Sequence, residues 1–249
     1  MPDELCVVVG ATGAVGEAVV RRLAGSGHRV LAVARRSDAL ARLEALVPGV
    51  ATHAADLADD TATDSLRCAI DAPVRLAVFA AGIAVTGSLD VIEPSALARA
   101  VDLKVGGTAR LLHAVQDRLA ENARFVSIAG SLGFEPGPMD AGPGTVNAAL
   151  VNLMKQISLL HGPRGLVSVT IAPGPLDTPR LRAVAERRAQ ESGRVAEEVW
   201  EDYVARTATG ALPTANDVAW LVEILLAPQA RALHGSVLHP DGGVLHAAF

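Results

Sequence analysis

Residues 5–27 read LCVVVGATGAVGEAVVRRLAGSG, and no other stretch of the chain limits its fold as tightly. A short apolar run ends at Gly10, glycines recur at Gly13 and Gly16, and a helical pattern begins within the glycine series. Such a run reads as a strand followed at once by a helix. Glycines at the junction permit a tight turn and a close approach of backbone to a ligand. The first turn of the helix offers free N–H groups and partial positive charge, a seat for a pyrophosphate. Thr12 and Val15 join Gly10, Gly13 and Gly16 as candidate contacts to a dinucleotide. A glycine turn with a purely structural role is the alternative.

The rest of the chain repeats this unit. Strand-like runs follow at 29–33, 50–54, 75–80, 124–129, 166–172 and 235–240, separated by helical patterns at 38–47, 60–71, 94–120, 144–161 and 214–227. The runs are continuously apolar, as strands are when both sheet faces are covered. Half of the 249 residues are hydrophobic and only 3% aromatic, which suits helices and parallel strands packed in layers. The alternation predicts an α/β fold: one domain with a doubly wound parallel sheet of about seven strands. Residues 176–212 break the rhythm with two charged helical pieces, 179–192 and 195–207. An insertion there would stand above the carboxyl ends of the strands, where ligands bind, and reads as a substrate lid. Surface decoration is the alternative.

The second strand leads into Arg35 and Arg36, with no acidic residue before Asp38. Two arginines suit a 2′-phosphate and so NADP(H), whereas NAD is usually held by a carboxylate at this point. Arg36 also fits a solvated helix start. Asp56, just past the third strand, can accept from the adenine amino group or cap the next helix, although Asp59 or Asp60 is better placed for capping.

With these residues in place the chain resembles the short-chain dehydrogenase/reductase family along nearly its whole length. The resemblance rests on the glycine turn, Asp56-Leu57, FAAG (79–82), IAPGPLDTPRL (171–181) and HGSVLHPDGG (234–243), in the family's order. PGPLDTPRLR is similar to the oxoacyl-carrier-protein-reductase-like branch. The resemblance implies a Rossmann fold, a nicotinamide cofactor, hydride transfer at a carbonyl or alcohol, and a homodimer or homotetramer. It implies cofactor contacts from Leu57, Ala81, Gly82, Pro173, Gly174, Leu176 and Thr178.

The family's catalytic set is Asn, Ser, Tyr and Lys, with the last two spaced Tyr-x-x-x-Lys, and here the match departs. Aligning NAALVNL with the family's helix start puts Asn147 at the lysine position and Pro143 at the tyrosine position. Proline has no acid hydrogen to give. The family's asparagine position carries Lys104, which lies in a stripe of Leu97, Val101, Thr108, Leu111 and Val115 at helical spacing. A lysine in that stripe is desolvated, and its pKa falls; the alternative is a stem snorkelling to the rim. Lys104 with Asn147 resembles the exchange in polyketide-synthase ketoreductase domains, which keeps the ammonium near the cofactor. Either Gly130 or Ser131 holds the serine position, and Ser131 is the candidate oxyanion donor. For the missing acid the candidates are Asp140, Tyr203 (the only tyrosine), or Lys104 through water.

The expected activity is NADP(H)-dependent reduction of a ketone or imine on a medium-sized apolar substrate. Two rivals keep the pocket without carbonyl reduction: a lyase, isomerase or cyclase, and a silent NADP-binding sensor or partner subunit. A net charge of −5 without a basic stretch argues against nucleic acid as a partner. No apolar segment is long enough for a membrane span. Cys6 and Cys68 lack metal-ligand spacing, and no metal is expected. A soluble cytoplasmic protein is the expectation.

Overall fold

Alternate residues of the first strand, β1 (Leu5–Val9), enter two different cores: Leu5, Val7 and Val9 face one layer of helices, Cys6 and Val8 the other. This is why the run is apolar throughout, since every position is buried on one side or the other. The computed structural model describes residues 4–82, 85 and 87–246. Six further strands join β1: β2 (Arg29–Ala34), β3 (Ala51–Ala54), β4 (Val74–Phe79), β5 (Leu119–Ile128), β6 (Val167–Ile171) and β7 (Val237–Leu238). They form one parallel sheet in the order β3-β2-β1-β4-β5-β6-β7. The order reverses direction between β1 and β4, creating a crevice at their carboxyl ends. This is the expected doubly wound architecture.

The first helix, α1 (Ala14–Gly25), starts where the glycines predict. Gly10 adopts φ +81°, which favours glycine, and a Cβ at Gly16 would run into the Gly10 carbonyl oxygen. The turn therefore needs Gly10 for its backbone and Gly16 for helix–strand contact. Helices α2 (Ser37–Leu46) and α3 (Thr61–Ala69) lie close to their expected ranges.

The predicted helix at 94–120 is instead several pieces. Helix α4 (Pro94–Val101) widens into a π turn at Asp102–Gly106, continues as α5 (Gly107–Val115), and gives way to a short 3-10 turn before β5. The π turn inserts one residue into the helical count. The buried stripe behind Lys104 accordingly runs through Ala100 and Leu103 rather than the expected Val101 and Leu97. Ahead of Lys104, Thr108, Leu111 and Val115 are buried as the spacing predicts. Such a bulge in a helix often marks a functional site.

Helix α6 (Ala141–His161) begins three residues earlier than expected, so Pro143 sits in its first turn, where a missing N–H is tolerated. Helices α7 (Pro179–Ser192) and α8 (Ala196–Ala205) pack on each other through Ala185, Ala189, Val199 and Tyr203. Helix α9 (Ala215–Ile224) follows under a capping box made by Thr214 and Asp217. Strand β7 is much shorter than 235–240, consistent with Pro240, which has no N–H to give a ladder.

Candidate active site

Two adjoining cavities open at the carboxyl end of the sheet. The larger, of about 500 Å³, runs from the glycine turn across the ends of β1, β2 and β4. Gly10, Thr12, Gly13 and Val15 line it at the N-terminus of α1, where no side chain caps the helix. Arg35, Asp56 and Leu57 line the β2–β3 side, Ala81 and Gly82 the end of β4, and Pro173, Leu176 and Thr178 the segment after β6. An uncapped helix start facing a cleft with an arginine at the far end is a donor set that fits a phosphorylated dinucleotide.

Three expected contacts stand elsewhere. Gly16 is buried against Gly10 and acts through packing. Arg36 precedes α2 and faces Asp38 at 3.6 Å. Gly174 is pressed against Asp241, where a Cβ would come within 2.9 Å of the Asp241 side chain. Asp56 accepts the Ala58 N–H at 3.1 Å and still lines the cavity, whereas Asp59 accepts both the N–H and the hydroxyl of Thr61 at the start of α3.

The smaller cavity, of about 180 Å³, shares Gly82, Lys104, Ala129 and Arg180 with the larger one. Its other walls are mostly apolar and include Val85, Pro143 and Val146, with Asn147 as the remaining polar side chain. Lys104 stands at the junction. Its Nζ donates to Asn147 Oδ1 at 2.6 Å and to the Ala129 carbonyl oxygen at 3.2 Å. Burial, and then the Arg180 guanidinium, push the Lys104 ammonium down from its usual range to about 8. The π turn and Asn147 together aim the lysine, one from each neighbouring helix.

Gly130 makes room for this pair. Its backbone is extended, so conformation does not demand glycine there, but space does. A Cβ at residue 130 would lie 2.7 Å from Asn147 Nδ2. Ser131 donates its N–H to the Pro173 carbonyl oxygen at 2.8 Å, and it is buried outside the lining of both cavities. Ser127 lies below, its hydroxyl 3.4 Å from that of Thr108.

Asp140 and Tyr203 also stand outside both cavities. Asp140 is the residue before α6; its carboxylate accepts the Gly137 N–H at 3.0 Å and faces Arg188 at 3.9 Å. Tyr203 is 7% exposed within the α7–α8 contact, with Arg188 against its ring, and burial raises its pKa.

Of the five expected catalytic residues, then, Lys104 and Asn147 meet at the junction, while Ser131, Asp140 and Tyr203 do not. Arg180 is the residue that sequence reasoning missed, although it stands two places after Thr178 in the quoted DTPRL stretch. Among the described residues, no cluster of three or more His, Cys, Asp or Glu side chains could hold a metal ion, and no helix is long and apolar enough to cross a membrane.

Comparisons with known proteins place this fold in a family. The family model for enoyl-(acyl carrier protein) reductase matches residues 10–245. The short-chain reductase protein NovJ of Streptomyces niveus is 24% identical over 250 residues, covering 97% of this chain and 94% of NovJ. An NADPH-bound short-chain oxidoreductase of Pseudomonas aeruginosa PAO1, described as containing an atypical catalytic center, superposes with a TM-score of 0.85 at 20% identity over 98% of each chain. A variant of the actinorhodin polyketide ketoreductase solved with NADPH gives 0.87 at 25% identity, again over 98% of each chain.

Proposed function

The chain belongs to the short-chain dehydrogenase/reductase family, and on that premise we propose that it is an NADPH-dependent reductase of a ketone or imine whose proton comes from Lys104. The observation that carries this reading is the Lys104–Asn147 pair at the junction of the two cavities, with Pro143 on the wall of the smaller one. The NADPH bound by the Pseudomonas oxidoreductase and the actinorhodin ketoreductase supports the cofactor assignment.

The first turn of α1 would hold the diphosphate, Asp56 the adenine amino group, and Arg35 the 2′-phosphate. Thr178 and the backbone at Leu176 would meet the nicotinamide end. Reduced nicotinamide, when bound, supplies a hydride. The apolar walls of the smaller cavity would hold the substrate and exclude water, which strengthens the field of the ammonium at the substrate's carbonyl or imine. The Lys104 ammonium would give a proton to the substrate oxygen or nitrogen as that atom gains its electron pair, and water would then reprotonate the amine. A pKa of about 8 keeps Lys104 mostly charged at neutral pH yet able to release its proton, as general acid catalysis requires. Asn147 Oδ1 holds the ammonium in place; it touches the lysine, so its role is positioning.

Helices α7 and α8 would cover the substrate. Their base carries Thr178 and Arg180 at the cavities, and Arg188 reaches back to Asp140 at the start of α6.

The test is NADPH titration by fluorescence followed by absorbance decay across a ketone and imine panel. Turnover by the wild type and its loss in Lys104→Met, with NADPH binding retained, is the expected result. Tight NADPH binding with no turnover of any panel member at any pH would rule the reductase reading out.

A further inference from the structure

Arg180 is the one strongly charged group that the catalytic account leaves without a task. It lies exposed near the start of α7 and lines both cavities. Among the described residues it has no carboxylate within ion-pair distance, unlike Arg182, which faces Asp177 and Glu197 and stacks on Trp200, or Arg194, which pairs with Asp202. The smaller cavity contains two cations, Lys104 and Arg180, and no acidic side chain among its lining. Like charges lining one cavity oppose one another: after burial, the Arg180 guanidinium is the second influence that lowers the Lys104 pKa. An anion lying between them would relieve that opposition.

Resting on the reductase reading, we propose that the substrate is a keto acid whose carboxylate is held by the Arg180 guanidinium while its ketone oxygen meets Lys104. A planar carboxylate matches the guanidinium fork in a way that a neutral ester cannot. The larger cavity already has phosphate-binding features of its own at α1 and Arg35, which leaves Arg180 for the substrate side. The apolar remainder of the smaller cavity, with Val85, Ala100, Pro143 and Val146, suits a short aliphatic chain between the two polar ends.

The experiment compares 2-oxobutanoate, 4-oxopentanoate and 5-oxohexanoate with their methyl esters, on wild type and Arg180→Met. Both kcat/KM with NADPH and binding to the NADP⁺-loaded protein by calorimetry are measured. At least one acid should exceed its ester by about tenfold or more in the wild type, and Arg180→Met should remove that preference by lowering the acid selectively, with NADPH affinity retained. The binding arm reads the same preference even if no compound turns over, so failure of the reductase reading remains distinguishable from failure of this one. Equal binding of acids and esters, an equal loss for both in Arg180→Met, or a weakened NADPH affinity in that variant would overturn the assignment. The last result would give Arg180 to the cofactor.

Discussion

Gly130→Ala is the most revealing small change in this site. The added methyl would lie 2.7 Å from Asn147 Nδ2, too close for any side chain to remain in place. The Asn147 side chain, not the extended backbone of residue 130, has to yield, and its bond to Lys104 Nζ at 2.6 Å goes with it. A hydrogen bond to a charged group contributes about 1.5–3 kcal/mol, so kcat/KM should fall by about tenfold to about a hundredfold. Losing an acceptor from the charged form also lowers the lysine pKa further, so the alkaline limb of the pH profile should move from about 8 toward neutrality. The assay is steady-state NADPH oxidation with the best ketone of the panel, on wild type, Gly130→Ala, Asn147→Ala and the double variant. Because both single changes break the same contact, Gly130→Ala should cost little in the Asn147→Ala background. If its effect is the same in both backgrounds, the methyl acts elsewhere and the reasoning from Asn147 is wrong.

Three further outcomes are expected. Arg35→Ala should weaken NADPH binding by about tenfold to about a hundredfold and leave NADH binding nearly unchanged, as fluorescence titration would report; equal losses for both cofactors would remove Arg35 from the 2′-phosphate. Asp140→Asn and Tyr203→Phe should keep kcat within about threefold of wild type, because neither side chain lines a cavity; a loss approaching that of an essential general acid, about a hundredfold or more, would show that one of them moves in to serve as the acid. Thr214→Ala removes the hydroxyl that accepts the Asp217 N–H at 3.3 Å in the capping box of α9, and should lower stability by about 1 kcal/mol, a Tm drop of roughly 2–4 °C by calorimetry.

The fold was legible because its signals are local. The central strand β1 is an unbroken apolar run, and the glycine turn announces itself through Gly10 and Gly16, whose needs are steric. The π turn at Asp102–Gly106 was not legible: one inserted residue alters no composition or motif, yet it shifts the buried positions from Leu97 and Val101 to Ala100 and Leu103. The start of α6 was misjudged for a related reason. Pro143 reads as loop, but a helix accepts proline in its first turn. At the site, the Lys104–Asn147 relation could be read from the resemblance, whereas the placement of Ser131, Asp140 and Tyr203 outside the cavity linings depends on three-dimensional packing. Arg124 illustrates the same limit in the core: it is 1% exposed, and its guanidinium is satisfied by the Leu225 and Ala227 carbonyl oxygens at 2.6 and 3.1 Å, contacts about a hundred residues away that no local pattern signals.

The central claim is that Lys104 supplies the proton to the substrate. The most direct measurement is the pH dependence of kcat/KM with saturating NADPH, for wild type and Lys104→Met. The acid must be protonated to act, so activity should be level below the folded-state pKa and fall as pH rises through about 8. In Lys104→Met the residual activity should be low and show no limb in that region, with NADPH affinity retained. A wild-type profile that stays flat through pH 8, or a limb near 8 that survives in Lys104→Met, would contradict the account and assign the proton to another group.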